Sequence, residues 1–192
     1  MRYSETHKRD MREKLLDSSS AIAKKGGFGT TGVDALMSAI GLTGGAFYGH
    51  FPSKDALFAA IVARELEHSA QMLAGDEQAP PDHVARCLRR YLSDGHAEHP
   101  ESGCVLPALG AEIARAGPGV RAEVEAALRR LQEDWRDRVG DADAAWALLA
   151  QCVGAILLAR VVESPQTRHE ILAASRRFLE TAIDPQPGLA GP

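Results

Sequence analysis

Three hydrogen-bond donors crowd one short stretch of the chain: the Tyr48 phenol, the His50 imidazole and the Lys54 ammonium, interleaved with Gly44, Gly45 and Gly49. All three suit phosphate oxygens, and Lys54 stands where a helix begins, so backbone amides there already favour an anion. The chemistry on offer is the holding of an anion, not the making of a bond. Thr43 and Ala46 add a hydroxyl and a methyl that can reach a base edge, whereas the three glycines have no side chain with which to do so. Phe47 and Phe51 are expected in the core between helices.

A second candidate is Cys104. It follows Pro100-Glu101-Ser102-Gly103 and opens a helix, where the dipole favours the thiolate, making it a candidate thiol sensor. Cys87 and Cys152 fall mid-helix on apolar faces and read as core. His96, Glu98, His99 and Cys104 form a loose set of possible metal ligands, but their spacing matches no zinc signature, so no metal is expected. Nothing places a base and an orienting carboxylate around Cys104, and no phosphate loop or dinucleotide fingerprint occurs. The expectation is therefore no enzyme and no cofactor.

Positioning these residues falls almost entirely to helices, since apolar residues recur at helical spacing and strand-type alternation is missing. The first helix is expected from Thr6 to Lys25, closed by Gly26-Gly27. A second starts near Thr31, with its hydroxyl as cap and Asp34 completing a capping box, and stops at Gly41. Thr43 caps a third short helix, broken by Pro52-Ser53 before Lys54 opens a fourth that buries Leu57, Phe58, Ile61, Val62 and Leu66. Joined by Gly41-Leu42-Thr43, the second and third form a helix-turn-helix. Beyond the Pro80-Pro81 linker, further helices are expected over 82–96, 104–115, 119–139, 141–162 and 165–183. The predicted organisation is a headpiece over 1–54, a body over 55–183 and a disordered tail over 184–192.

Residues 42–54, together with Gly27, Phe28, Thr31, Val33, Leu36, Gly41, Leu57 and Ile61, resemble the DNA-binding headpiece of the TetR/AcrR family of transcriptional regulators. The resemblance implies an all-α fold: a three-helix headpiece carrying the helix-turn-helix, plus a larger helical body for ligand binding and dimerisation, about nine helices in all. It implies that Tyr48, His50 and Lys54 contact the DNA backbone, within a DNA-binding set of Thr31, Thr43, Gly44, Gly45, Ala46, Tyr48, Gly49, His50 and Lys54. The family's frequent Ser or Thr before Val33 is Gly32 here, which removes one expected phosphate contact. Base readout is thin, and leans on Thr43, Ala46, the second helix, the N-terminal arm with Arg2, and DNA shape.

The implied partners are a palindromic double-stranded operator, a second copy of the chain and an unidentified small effector. An effector pocket would draw on Tyr91, Leu106, Leu109, Ile113, Leu131, Trp135, Trp146 and Leu149, with Glu112, His96 or Gln151 giving polarity. The helix over 141–162 is rich in small residues, so Ala150, Val153, Gly154 and Leu157, with Phe178 of the last helix, are expected at the dimer interface. The Gly-Cys helix start resembles a subgroup of the family that responds to electrophiles or oxidants through cysteine. The leading expectation is a homodimeric repressor released by an apolar effector or by thiol modification. A helical adaptor that binds protein through the headpiece is the alternative, and a Cys-dependent enzyme the remotest.

Charge agrees with that order: residues 1–54 hold all five lysines and an excess of three positive charges, although the chain as a whole is at −4. The N-terminus has no apolar segment ahead of a small-residue cleavage site, no cysteines pair as CxxC, and the apolar uncharged run 144–159 is 16 residues. A cytoplasmic protein without a membrane span is expected.

Overall fold

The computed structural model describes residues 5–74, 78–80 and 82–183, and among them every regular element is helical. The elements are α1 (Glu5–Gly26), α2 (Val33–Ser38), a 3-10 helix (Gly44–Gly49), α3 (Lys54–Ala74), α4 (His83–Tyr91), α5 (Asp94–Glu98), a 3-10 turn (Pro100–Ser102), α6 (Val105–Arg115), α7 (Pro118–Val139), α8 (Ala142–Val161) and α9 (Pro165–Ile183). The all-α expectation holds. Arg2 and the tail over 184–192 lie outside the described residues.

Two compact units share the chain, one of residues 1–67 with 100–127, the other of 68–99 with 128–192. α3 runs from the first unit into the second, as does α7.

In the first unit α1 packs on α2, on α6 and on the Pro100–Ser102 turn. α1 closes at Gly27, whose φ of 91° only glycine adopts at low cost; its amide returns to the Ala23 carbonyl at 2.8 Å. The carbonyls left over at Gly26 and Gly27 accept from Thr30 and Thr31 hydroxyls, the latter at 2.9 Å. Thr31 is thus spent on closing α1 and does not cap α2, whose N-cap is Gly32 without any side-chain hydrogen bond. α2 is short because the left-handed Gly41 (φ 75°) closes it, with Leu42 N–H on the Met37 carbonyl and Gly41 N–H on that of Ser38, both 3.0 Å.

The second unit is built on α8 packed along α9, with α4 and α5 against them. Leu88, Leu92, Leu131, Trp135, Leu148, Cys152, Ile156, Leu172 and Leu179 belong to its core. The single helix expected over 82–96 is interrupted: α4 ends at Tyr91, and Ser93 Oγ accepts from the His96 amide at 3.2 Å to start α5. Arg160 on α8 then donates to the His96 and Ala97 carbonyls, and Arg168 on α9 to Glu98 at 2.5 Å, tying α5 down. α8 starts as expected, with Asp141 Oδ2 accepting from the Ala144 amide at 2.7 Å. α8 is 20 residues long and holds an 18-residue stretch with a mean hydropathy of 1.8, so it is long and apolar enough to cross a membrane by length and composition, more than the uncharged run alone indicated.

Candidate nucleic-acid interface

The segment after the α2 turn is a 3-10 helix, not an α-helix. Its three glycines, Gly44, Gly45 and Gly49, each cost about 1 kcal/mol of helix propensity, and the first bond, Ala46 N–H to the Thr43 carbonyl at 3.0 Å, has the tighter 3-10 spacing. Thr43 holds the N-cap position but its hydroxyl makes no cap bond, contrary to expectation. Gly44 is confined for a steric reason, since a Cβ there would collide with the Asp34 carboxylate.

This helix is anchored by Phe47 and Phe51, both buried and 6.2 Å apart between ring centroids, as expected of core residues. Tyr48, set edge-on to Phe47, is turned out and 69 % exposed. Thr43, Gly45 and Gly49 are exposed beside it, while Gly44, Ala46 and His50 are half-buried. An exposed phenol on an otherwise small-residue ridge leaves the backbone of the segment open to close approach.

His50 caps the end of the segment, its amide on the Phe47 carbonyl at 2.8 Å. Its Nδ1 is buried and, among the described residues, has no hydrogen-bond partner. Burial first, then the charges of Lys8 and Arg12, hold the imidazole below its ordinary pKa of 6.5. Lys54 opens α3, with Ser53 Oγ capping through the Ala56 amide at 3.0 Å. The Lys54 ammonium donates to the Gly29 carbonyl at 3.2 Å and sits 4.8 Å from the Phe28 ring centroid, so it is held toward the α1–α2 loop. Phe28 in turn stacks on Phe58, 4.6 Å apart.

Two anchors of this unit tie together segments far apart in sequence. Glu112 on α6 accepts from the Phe28 amide at 3.0 Å and the Gly29 amide at 2.6 Å, clamping the loop that carries Thr30 and Thr31. Lys24, with a side chain only 5 % exposed, pairs with Glu65 at 2.8 Å and donates to the Gly103 carbonyl at 2.9 Å, while Ser20 donates to the same carboxylate at 2.7 Å. The i, i+4 stripe Leu16, Ser20, Lys24 is the one hint that Lys24 faces inward. Glu112 binds backbone amides more than eighty positions away, and no spacing rule reaches that far.

Cys104 occupies the N-cap position of α6, half-buried, and neither it, Cys87 nor Cys152 is disulfide-bonded. Of the loose metal set, Glu98 is engaged by Arg168 and His96 Nδ1 lies 2.6 Å from the Tyr91 carbonyl. Among the described residues no group of three His, Cys, Asp or Glu could hold a metal ion.

The residues named for an effector pocket fall in both compact units. Leu109 and Ile113 are buried and Leu106 half-buried in the first unit; Leu131 and Trp135 belong to the core of the second, and the partly buried Tyr91 and Leu149 pack against that core. Trp146 is 41 % exposed on α8. Within the first unit a cleft of about 390 Å³ is lined by Phe28, Gly29, Lys54, Phe58, Glu112 and Arg115 among others, and of the expected polar residues Glu112 faces it. Gln151, also expected there, donates to Ser175 at 3.1 Å and joins α8 to α9.

On the outer side of α8 and α9, Leu157, Leu158, Val161 and Phe178 are 49–70 % exposed, and Ala150 is exposed with them. Val153 and Gly154 are half-buried, with nothing within 4 Å of a Cβ placed at Gly154.

Residues 15–61 match the family of bacterial regulatory proteins, tetR family. A search of curated proteins found no match. Among solved structures, the reduced form of Escherichia coli NemR superposes with a TM-score of 0.76 at 20% identity, covering 91% of this chain and 98% of that one. A TetR transcriptional regulator from Legionella pneumophila gives 0.75 at 17% identity, over 96% and 100% of the two chains. One from Chloroflexus aurantiacus gives 0.71 at 24% identity, over 91% and 96%.

Proposed function

We propose that this TetR/AcrR-family DNA-binding regulator is a homodimeric repressor of a palindromic operator, released by a small apolar effector or by modification of Cys104. The observation that carries the DNA reading is the exposed Tyr48 beside His50 on a segment anchored by Phe47 and Phe51. Tyr48, His50 and the ammonium of Lys54 grip phosphates, while Thr43 and the Ala46 methyl read bases, with Thr31 and the bare glycine backbone allowing close approach. Incubating the protein with the DNA upstream of its own coding sequence and resolving the complex on a gel tests this. A shift lost on Tyr48→Ala supports it, and no shift at low salt counts against it.

Dimerisation is supported by α8 and α9, where the large apolar side chains Leu157, Leu158, Val161 and Phe178 stand exposed, and Ala150 and Gly154 admit a close partner helix. A dimer would present two recognition segments to half-sites spaced by one or more helical turns.

Cys104 is supported as the responsive thiol by its helix-start position and by its neighbour. The Gly103 carbonyl is tied to the Lys24–Glu65 pair that joins α1 to α3, so a bulky adduct on Cys104 would press on the frame of the headpiece. Operator binding of Cys104→Ser should become indifferent to N-ethylmaleimide; continued sensitivity would dispose of this role.

A further inference from the structure

Ahead of the helix-turn-helix, α1 presents two cations that the reading above leaves unused. Lys8 and Arg12 lie four residues apart on α1 and so share a face. The Arg12 guanidinium stands 4.5 Å from the Phe51 ring centroid, which brings that face against the residue following His50. Both cations act electrostatically on His50, and no carboxylate does. On the segment of His50 itself the neighbouring titratable groups are Tyr48 and, past Pro52, Lys54.

Little within the described residues neutralises this cluster. Arg12 has one loose ion pair, with Glu13 at 3.8 Å between half-exposed side chains, and Lys8 has none. His50 Nδ1 is buried without a partner. Two fixed positive charges beside an imidazole that they discourage from protonating is an arrangement that an incoming anion would relieve. Its place at the end of the recognition segment makes a DNA phosphate the anion that fits.

We propose that Lys8, Arg12 and His50 form a phosphate site of their own, which seats one DNA backbone phosphate between α1 and the recognition segment and takes up one solvent proton at His50 as it does so. The site rests on the DNA-binding reading and extends it from the helix-turn-helix to α1. Neutral imidazole plus a solvent proton gives an imidazolium that the phosphate stabilises. Binding therefore gains protons, and affinity rises as pH falls.

The test is fluorescence anisotropy with a labelled mixed-sequence duplex of about 30 base pairs, since phosphate contacts do not depend on sequence, across a series of salt concentrations and from about pH 8 to about pH 6. Lys8→Gln and Arg12→Gln should each weaken binding and lower the slope of log affinity against log salt, together by about one, the limit for the one phosphate they share. Wild-type affinity should climb on acidification by up to tenfold per pH unit, the limit for one proton, and His50→Gln should flatten the climb. Lys8 is exposed, so Lys8→Gln remains decisive even if Arg12→Gln disturbs the packing on Phe51. Unchanged salt slopes in both variants overturn the site while leaving the DNA reading intact. A wild-type affinity indifferent to pH overturns the proton uptake. No salt-dependent binding by the wild type overturns both.

Discussion

The Glu112 carboxylate and the Gly29 amide are 2.6 Å apart, an anion from α6 seated on the loop between α1 and α2. The Phe28 amide shares it, so one side chain satisfies two backbone donors that the left-handed turn at Gly27 leaves pointing out of α1. Removing it should leave those amides to water. Glu112→Ala is expected to lower unfolding free energy by about 1–3 kcal/mol in a urea titration, with faster hydrogen exchange at Phe28 and Gly29. Unaltered exchange at those two amides would mean that the clamp is not populated in solution.

Lys24 and Glu65 behave differently because both are largely removed from water. Breaking such a pair leaves a buried charge, so Lys24→Met alone should cost about 3–5 kcal/mol, while Lys24→Met with Glu65→Leu should recover most of the loss. Thermal melts of the two single variants and the double variant measure the coupling. A double variant as unstable as the sum of the singles would contradict it.

His50 links the fold to pH. Its folded pKa lies below the unfolded 6.5, so the unfolded chain takes up a proton first on acidification, and stability contributed by the neutral imidazole is lost as pH falls from about 6.5 through the folded value. Urea midpoints measured across that window should drop for wild type and drop less for His50→Gln. Parallel curves would place the acid sensitivity elsewhere.

The α8–α9 face should decide oligomeric state. Leu157→Glu with Phe178→Glu puts two charges where an apolar partner surface is proposed, and sedimentation velocity should show a monomer in place of a dimer. A wild-type monomer at micromolar concentration would remove the interface altogether.

What the residues disclosed, and what they withheld, follows from the range of the forces involved. Helix boundaries set by local chemistry were legible: Gly27 and Gly41 as left-handed closures, and the starts of α8 after Asp141 and of α9 at Pro165. Phe47 and Phe51 were legible as core because aromatic residues flanking an exposed tyrosine at that spacing have one side to bury. Thr31 and Thr43 misled because a hydroxyl near a helix start can equally serve a preceding carbonyl or make no bond at all, and Thr31 took the carbonyl of Gly27. The split into α4 and α5 was hidden for a similar reason, since Ser93 reads as an ordinary helix residue until Arg160 and Arg168 are seen holding the second piece. Pocket lining is not separable from core in the sequence, because an apolar face that lines a cavity and one that lines a core have the same periodicity.

The central claim is that the segment from Thr43 to Lys54 holds DNA by its phosphates. Its most direct measurement is the salt dependence of duplex binding for wild type, Tyr48→Phe and Lys54→Gln. The account predicts tight binding at low salt that falls linearly in log affinity against log salt, a slope smaller by about one in Lys54→Gln, and weaker binding at every salt concentration in Tyr48→Phe. Wild-type binding indifferent to salt, or wild-type slope and affinity retained in both variants, would contradict it.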